Sequence, residues 1–420
     1  MMQTHYLIAG SSHAALTALH AIRMHDPQKE VTLVTREDSL PYSPTVLPYV
    51  VSGRSRPGRV FLRDERYFAK LKVEYLRGAP VASVHPREGT VALADGEELR
   101  FAKLLLATGA APILPSIPGL GDTRYHVLRT LGDALALREA LPRTRQALVL
   151  GAGLIGMHAA ENLARAGVRV TVVEVQPTVL PGYFDLDAAR IIEGVFRENG
   201  VRLLTQNRVE RCEPHGDGSR AALADGSEIE ADLLLVATGV APVTGYLGGS
   251  GIETDRGVLV DDCMRTSAEN VWAAGDVAQA RGFFSGGKIV NGILPGAVDQ
   301  GRIAGMAMAG DPGIKTYAGG IPLNTYAFFG QQAVSVGVQE TALDQADVEI
   351  HKDADTDRGT YLKIVLKHGR LAGIFGINAA FDPGIMWELM LRRVDLGGLK
   401  QAFFDSPQSV ARVLMSRIWR

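Results

Sequence analysis

Two segments of the chain spell nearly the same string, and this echo narrows its architecture more than any other feature. Residues 91–112 read VALADGEELRFAKLLLATGAAP, and residues 221–242 read AALADGSEIEADLLLVATGVAP. Each predicts a strand, a tight turn, a second strand that becomes wholly apolar, and then Ala-Thr-Gly-x-Ala-Pro. Asp95-Gly96 and Asp225-Gly226 supply the positive φ that a short hairpin needs. The runs Leu104-Leu105-Leu106 and Leu233-Leu234-Leu235-Val236 suit central strands covered on both faces.

Each copy is preceded by a strand, a glycine turn and a helix. The first such unit is Tyr6-Leu7-Ile8-Ala9-Gly10, a helical stretch, and then Val31-Thr32-Leu33-Val34. The second is Ala147-Leu148-Val149-Leu150-Gly151, a helix to about Ala166 ended by Gly167, and then Val168 to Glu174. Both are βαβ units. The expected fold class is therefore α/β, with two doubly wound dinucleotide-binding domains. At ~100–200 residues per domain, 420 residues leave room for more.

The second turn, Gly151-Ala152-Gly153-Leu154-Ile155-Gly156, carries the full glycine spacing. The first glycine permits the turn, the second lets a pyrophosphate approach, and the third allows close helix–strand packing; the helix N-terminus attracts the anion. Glu174 follows 23 residues on (174 − 151 = 23), where a carboxylate binds a ribose 2′-hydroxyl and repels a 2′-phosphate. No Arg occurs in Val175-Gln176-Pro177, so NAD(H) is expected over NADP(H).

The first turn departs from the pattern: in Gly10-Ser11-Ser12-His13-Ala14-Ala15, Ser12 and Ala15 replace the second and third glycines. Both are small enough for the turn to survive. Glu37 is the expected ribose acid, with Asp38 as its alternative. His13 is read either beside a pyrophosphate or as a helix-face histidine pointing at solvent or neighbouring side chains.

Composition excludes several classes. With 46% apolar and 21% charged residues a sizeable core is available. The balance of 44 basic against 46 acidic residues, −2 overall, leaves no basic footprint for nucleic acid. Two cysteines, Cys212 and Cys263, make no disulfide framework and no metal-ligand spacing. No run approaches 18 apolar residues, and no signal peptide is read, so neither a membrane span nor a metal is expected and a cytoplasmic location is.

Residues 266–277, Thr-Ser-Ala-Glu-Asn-Val-Trp-Ala-Ala-Gly-Asp-Val, bring the chain to a family. Together with both glycine turns and both Ala-Thr-Gly segments, they resemble the pyridine nucleotide–disulfide oxidoreductases, flavoproteins with two dinucleotide domains. The resemblance runs from residue 5 to about 310. It implies FAD in the first unit, held by Gly10, Ser12, His13, Ala15, Glu37, Thr108, Gly109, Gly275 and Pro295, with Asp276 on the ribitol. It implies NAD(H) in the second, at Gly151, Gly153, Leu154, Ile155, Gly156, Glu174, Thr238 and Gly239. The implied layout is an FAD domain over 1–115 and 245–313, an inserted NAD domain over 116–244, and an α+β interface domain over 314–420, usually a dimerisation surface. Pro295 would open the helix Ala297 to Ala309 and aim its N-terminus at the flavin.

Members of the family differ in what takes electrons from the flavin. The disulfide reductases' Cys-x4-Cys pair is missing, since no cysteine precedes 212. In Pro41-Tyr42-Ser43-Pro44-Thr45-Val46-Leu47-Pro48-Tyr49, Thr45 stands where the single-cysteine enzymes have their thiol. A threonine forms no thiolate or sulfenic acid, which excludes a thiol relay. The resemblance then implies hydride exchange between NAD and flavin without a covalent protein intermediate, and electrons exchanged with an iron–sulfur protein or with subunits of a larger 2-oxoacid:acceptor complex. A stand-alone NADH oxidase, or a ferredoxin or rubredoxin reductase, is the alternative. The Arg-Pro and Lys of the ferredoxin and rubredoxin reductases are replaced here by Pro44 and Tyr49.

Cys212 and Cys263 are read as buried structural residues. His158 and Glu161 are open between a role near the nicotinamide and helix packing. The Phe283-Phe284 loop is open between a partner surface and burial against the interface domain. The stretch Met386 to Arg393 is read as a core helix of that domain.

Overall fold

The computed structural model describes residues 2–418. It contains two compact units: residues 1–43, 58–111 and 240–321 form the first, and 44–57, 112–239 and 322–420 the second.

In the first unit a parallel sheet runs Val73–Leu76, Val31–Val34, Met2–Ala9, Glu98–Leu106. The nine-residue strand Glu98–Leu106 serves two partners. Its beginning pairs antiparallel with Thr90–Leu93, and its apolar end, Leu104–Leu106, pairs parallel with Val271–Ala273. That second pairing joins residue 271 to a sheet begun at residue 2. Tyr6, Leu7, Ile8, Leu33 and Leu104 to Leu106 are all buried, as strands covered on both faces require. Helix His13–His25 lies against helix Leu294–Ala309.

The second unit repeats the plan with Arg202–Leu204, Arg169–Val173, Gln146–Leu150 and Leu233–Val236, all parallel. The two Asp-Gly turns are hairpins, with Gly96 at φ +90° and Gly226 at φ +82°. One of the differences between the copies changes the strand itself. Asp232 occupies the place of Ala102, and its carboxylate accepts the amides of Arg145 (2.7 Å) and Gln146 (2.9 Å). That bend splits into two strands, Glu228–Ala231 and Leu233–Val236, what is one strand in the first unit.

The carboxy-terminal part of this unit is a five-stranded antiparallel sheet, in the order Leu323–Phe328, Gln331–Gly337, Arg370–Ile377, Thr360–Lys367, Val348–Asp355. Helices Pro383–Leu391, Lys400–Asp405 and Pro407–Ile418 follow, and Met386, Leu389 and Met390 lie in the core. Residues 44–57, which the sequence reading runs on with the first unit, cluster with the second. Their helix Leu47–Val51 packs on Leu131–Ala140 and Leu154–Arg165, and the buried Asn162 amide donates to the Pro48 carbonyl at 2.9 Å.

Cys212 is buried, but Cys263 is partly exposed, a correction to its reading as a buried residue. It sits in a surface turn where the Asp261 carboxylate accepts the amides of Cys263 and Arg265, both at 2.8 Å. Among the described residues no helix is long and apolar enough to cross a membrane, and no cluster of His, Cys, Asp and Glu could hold a metal.

Candidate dinucleotide sites

In the first unit Gly10 ends strand Met2–Ala9 at φ +123°, and a Cβ there would overlap the Ala107 carbonyl. Only glycine fits. Ser12 caps helix His13–His25 through its backbone, leaving its hydroxyl outside the cap, and Ala15 is fully buried where a third glycine would pack. Small residues thus keep the turn and a helix N-terminus open to an anion. His13, the first helical residue, has its Nε2 hydrogen-bonded to Ser43 Oγ at 2.9 Å, and burial lowers its imidazole below the ordinary value.

Glu37 follows strand Val31–Val34, and its carboxylate accepts the Tyr42 hydroxyl at 2.6 Å. A groove of about 340 Å³ opens beside it, walled by Asp38, Tyr75 to Ala79, Leu93, Asp95 and Glu97. Gly275, at φ +81°, donates its amide to the Gln300 side chain at 2.8 Å, and Gln300 is buried on helix Leu294–Ala309. Asp276 follows, and a Cβ on Gly292 would come within 3.6 Å of its carboxylate. The helix starts at Leu294, with Pro295 in its first turn. A glycine-only turn, an acid at a strand end and a Gly275-Asp276 turn whose glycine amide is held by a buried Gln fit an FAD. Gln300 had no sequence signal, because its partner lies 25 positions away on another element.

The second unit meets the same test for NAD. Gly151 is at φ +99°, and a Cβ on Gly156 would overlap the Gly151 carbonyl. A Cβ on Gly153 would meet nothing within 4 Å, so that side of the turn is open. Helix Leu154–Arg165 begins there with Ile155 exposed. Glu174 is 7% exposed, and its carboxylate accepts the amides of Ala152 (2.7 Å) and Gln176 (2.8 Å). The acid is thereby fixed to the turn it serves, with lone pairs left for a ribose diol. Glu174→Ala is expected to weaken NADH binding by about 10–100-fold, the loss of hydrogen bonds to a charged group. It should also narrow the preference for NADH over NADPH. Titrations with both nucleotides check this; an unchanged ratio would count against Glu174.

The Ala-Thr-Gly threonines anchor the crossovers. Thr108 Oγ1 lies 2.9 Å from the Tyr246 hydroxyl and 3.4 Å from the Val243 carbonyl, while Thr238 donates to Ile113 O at 2.8 Å. Gly109 (φ +70°) and Gly239 (φ +116°) form the turns after them. The His158 ring meets Tyr326 edge-on at 4.6 Å; burial lowers its pKa more than Glu161 raises it. Glu161 is a packing residue, and its Oε1 accepts from Arg165 (2.8 Å) and from the amide of Phe329 (2.9 Å). That amide belongs to the hairpin turn Phe329-Gly330, whose φ values are +43° and +86°. Phe283 and Phe284 are half-buried, and the Phe283 amide donates to Gly320 O at 3.1 Å within the first unit. Thr45 lies exposed on the turn Pro44–Val46. Burial pushes the Cys212 thiol up, away from reactivity.

A family model for the pyridine nucleotide-disulphide oxidoreductases matches residues 4–306, and the chain belongs to that family. It is an FAD-dependent NAD(H) oxidoreductase. Among its relatives is the NADH-dependent phenylglyoxylate dehydrogenase subunit epsilon of Aromatoleum evansii, 56% identical over 418 residues, 99% of this chain and 98% of that one. The rubredoxin-NAD(+) reductase of Acinetobacter baylyi is 31% identical over 284 residues, 66% of this chain and 72% of that one. Among solved structures, an NAD-dependent persulfide reductase from A. fulgidus superposes with a TM-score of 0.86 at 26% identity, covering 99% of this chain and 83% of that one.

Proposed function

We propose that the chain is the NAD-linked flavoprotein subunit of a cytoplasmic, multi-subunit 2-oxoacid:acceptor oxidoreductase of the phenylglyoxylate type, exchanging electrons between NAD and an iron–sulfur partner. The observation that carries this reading is the near full-length, 56% identity to the epsilon subunit. The thiols agree with it: Thr45 replaces the redox cysteine and Cys212 is buried. Bound FAD supplies two-electron exchange with nicotinamide and single-electron exchange with metal clusters.

The chain's own residues bind and orient. Residues 1–115 and 245–313 are assigned to FAD and 116–244 to NAD, with 314–420 facing a second copy or a neighbouring subunit. Gly10, Ser12 and the helix start receive the flavin's pyrophosphate, Glu37 its ribose and Asp276 its ribitol. The Gly151–Gly156 turn and Glu174 do the same for NAD. No side chain forms a covalent bond to substrate.

The test uses the purified, flavin-loaded chain. NADH is expected to bleach the flavin and reduce a dye, and to reduce a ferredoxin-type protein faster than oxygen. No 2-oxoacid should turn over, and alkylating the cysteines should leave the dye rate in place. Turnover of phenylglyoxylate by the chain alone would overturn the subunit reading. Rapid oxygen consumption that ignores an added iron–sulfur protein would move the chain to the NADH oxidases, and loss of activity on alkylation would restore a thiol to the mechanism.

A further inference from the structure

Glu37 and His13 come from different elements, the end of a strand and the start of a helix, 24 residues apart (37 − 13 = 24). Both are held by consecutive residues of one short segment. The Tyr42 hydroxyl donates to Glu37 Oε2 at 2.6 Å, and Ser43 Oγ pairs with His13 Nε2 at 2.9 Å. The segment is itself anchored. The Leu62 amide donates to the Pro41 carbonyl at 2.6 Å, Tyr42 bridges to Phe61, and the Tyr75 hydroxyl donates to Ser39 O at 3.1 Å. Tyr42 is buried and Glu37 partly exposed.

Strand-end acids and helix starts are the two places where a doubly wound unit meets a dinucleotide, at its ribose and at its pyrophosphate. We propose that Tyr42 and Ser43 form a clasp that positions the ADP half of FAD: one hydroxyl orients the Glu37 carboxylate, and the other fixes the His13 ring at the helix start. The proposal rests on the FAD reading of the first unit. Its logic is pre-organisation. Without the clasp Glu37 is free to take other rotamers and His13 can swing from the turn, so binding must order both. Neither hydroxyl touches the flavin ring in this account; both are positioning residues acting through the side chains they hold.

Dilution of the FAD-loaded full chain, with released flavin read by fluorescence, gives the FAD dissociation constant. Tyr42→Phe and Ser43→Ala each remove one hydroxyl while keeping the ring or the fold of the segment. Each is expected to raise the constant about 5–10-fold, the worth of one hydrogen bond, with NADH affinity unchanged. Coupling separates positioning from general loosening. Tyr42→Phe should have little further effect in a Glu37→Ala background, Ser43→Ala little in a His13→Ala background, and Ser43→Thr should restore the wild-type constant. Additive effects, or unchanged constants in Tyr42→Phe and Ser43→Ala while Glu37→Ala weakens FAD, would overturn the clasp and leave the FAD reading standing. Full FAD affinity in both Glu37→Ala and His13→Ala would overturn the clasp together with the role of those two residues.

Discussion

Replacing Gly301 with leucine is expected to strip the chain of FAD and to lower its stability by more than about 3 kcal/mol, beyond the upper end of ordinary core overpacking. Helices His13–His25 and Leu294–Ala309 meet through small residues on both sides. A Cβ on Gly301 would overlap the Ala14 carbonyl, and one on Gly305 would come within 2.5 Å of Ala18 O and 2.8 Å of Ala21 Cβ. A side-chain neighbour could rotate away, but a backbone carbonyl inside a helix cannot move without its helix. The consequence reaches the proposed FAD site at two points. Ala14 lies in the first turn of helix His13–His25, whose start is proposed to receive the pyrophosphate, and Gln300, next to Gly301, holds the Gly275 amide beside Asp276. Pushing the helices apart therefore displaces both. The ratio of flavin to protein absorbance and the melting temperature measure the effect. Gln300→Leu, which removes one bond and adds no bulk at the crossing, should lose flavin affinity with a smaller loss of stability. A Gly301→Leu chain that keeps stoichiometric flavin and the wild-type melting temperature would show that the crossing tolerates a side chain.

This helix crossing also marks where sequence reasoning stops. The two βαβ units were legible because their signals are local: a glycine turn, a run of buried strand residues and an Asp-Gly hairpin each lie within a few positions of what they fix. The repeat added a second witness to each. The residues that tie distant elements together are paired across the chain. Gln300 reaches Gly275, Glu161 reaches the Phe329 amide 168 positions away, and Asp185 reaches Lys363. No period or motif announces such a pair, because each partner alone reads as an ordinary polar residue on a helix or strand. The segment 44–57 illustrates the same limit. Its apolar residues Leu47, Val50 and Val51 call for burial, but which unit buries them depends on Asn162 and on helix Leu131–Ala140, far along the sequence. Asp232 is the opposite case. Its effect is local: an acid where the first copy has Ala102 accepts the Arg145 and Gln146 amides at the point where the strand is split.

Losing Lys363 is expected to cost the second unit stability, because its charge is buried among acids from other elements. Its side chain is 4% exposed in strand Thr360–Lys367, and its ammonium lies 2.9 Å from Gln339 Oε1, 2.7 Å from Glu340 Oε2 and 3.4 Å from Asp185 Oδ2. Asp185 caps helix Leu186–Glu198 through the Ala188 amide and accepts the Tyr361 hydroxyl at 2.7 Å, while Lys352 pairs with both Asp185 and Asp187. Burial alone would raise the Asp185 carboxyl. The bonds from Tyr361, Ala188 and Lys352, with the Lys363 charge, outweigh burial and hold it below the ordinary 3.8. A carboxyl depressed by folding contributes stability that is present above its ordinary value and is lost as pH falls through the depressed one. Lys352 is raised on balance, against its own burial, by Asp187 and Asp185; its contribution is present below the ordinary 10.5 and fades as pH rises through the raised value. The cluster is thus expected to favour the fold between those limits and to give way first in acid.

Lys363→Met removes the buried charge and keeps the length. Breaking a buried pair from one side costs about 3–5 kcal/mol. Here Asp185 keeps 22% side-chain exposure and can rehydrate, whereas Glu340 Oε2 is buried, so about 2–3 kcal/mol is expected. Glu340→Gln in the same background should recover part of the loss, because the carboxylate left without its counter-charge is then neutral, and the single and double variants should differ from additivity by about 0.5–3 kcal/mol. Denaturant melts near neutral pH measure these differences. Repeated toward pH 3, the same melts should show a shallower acid loss in Lys363→Met than in the wild type, since part of what depresses Asp185 is already gone. Equal acid slopes with a loss under about 0.5 kcal/mol would place Lys363 among ordinary surface charges.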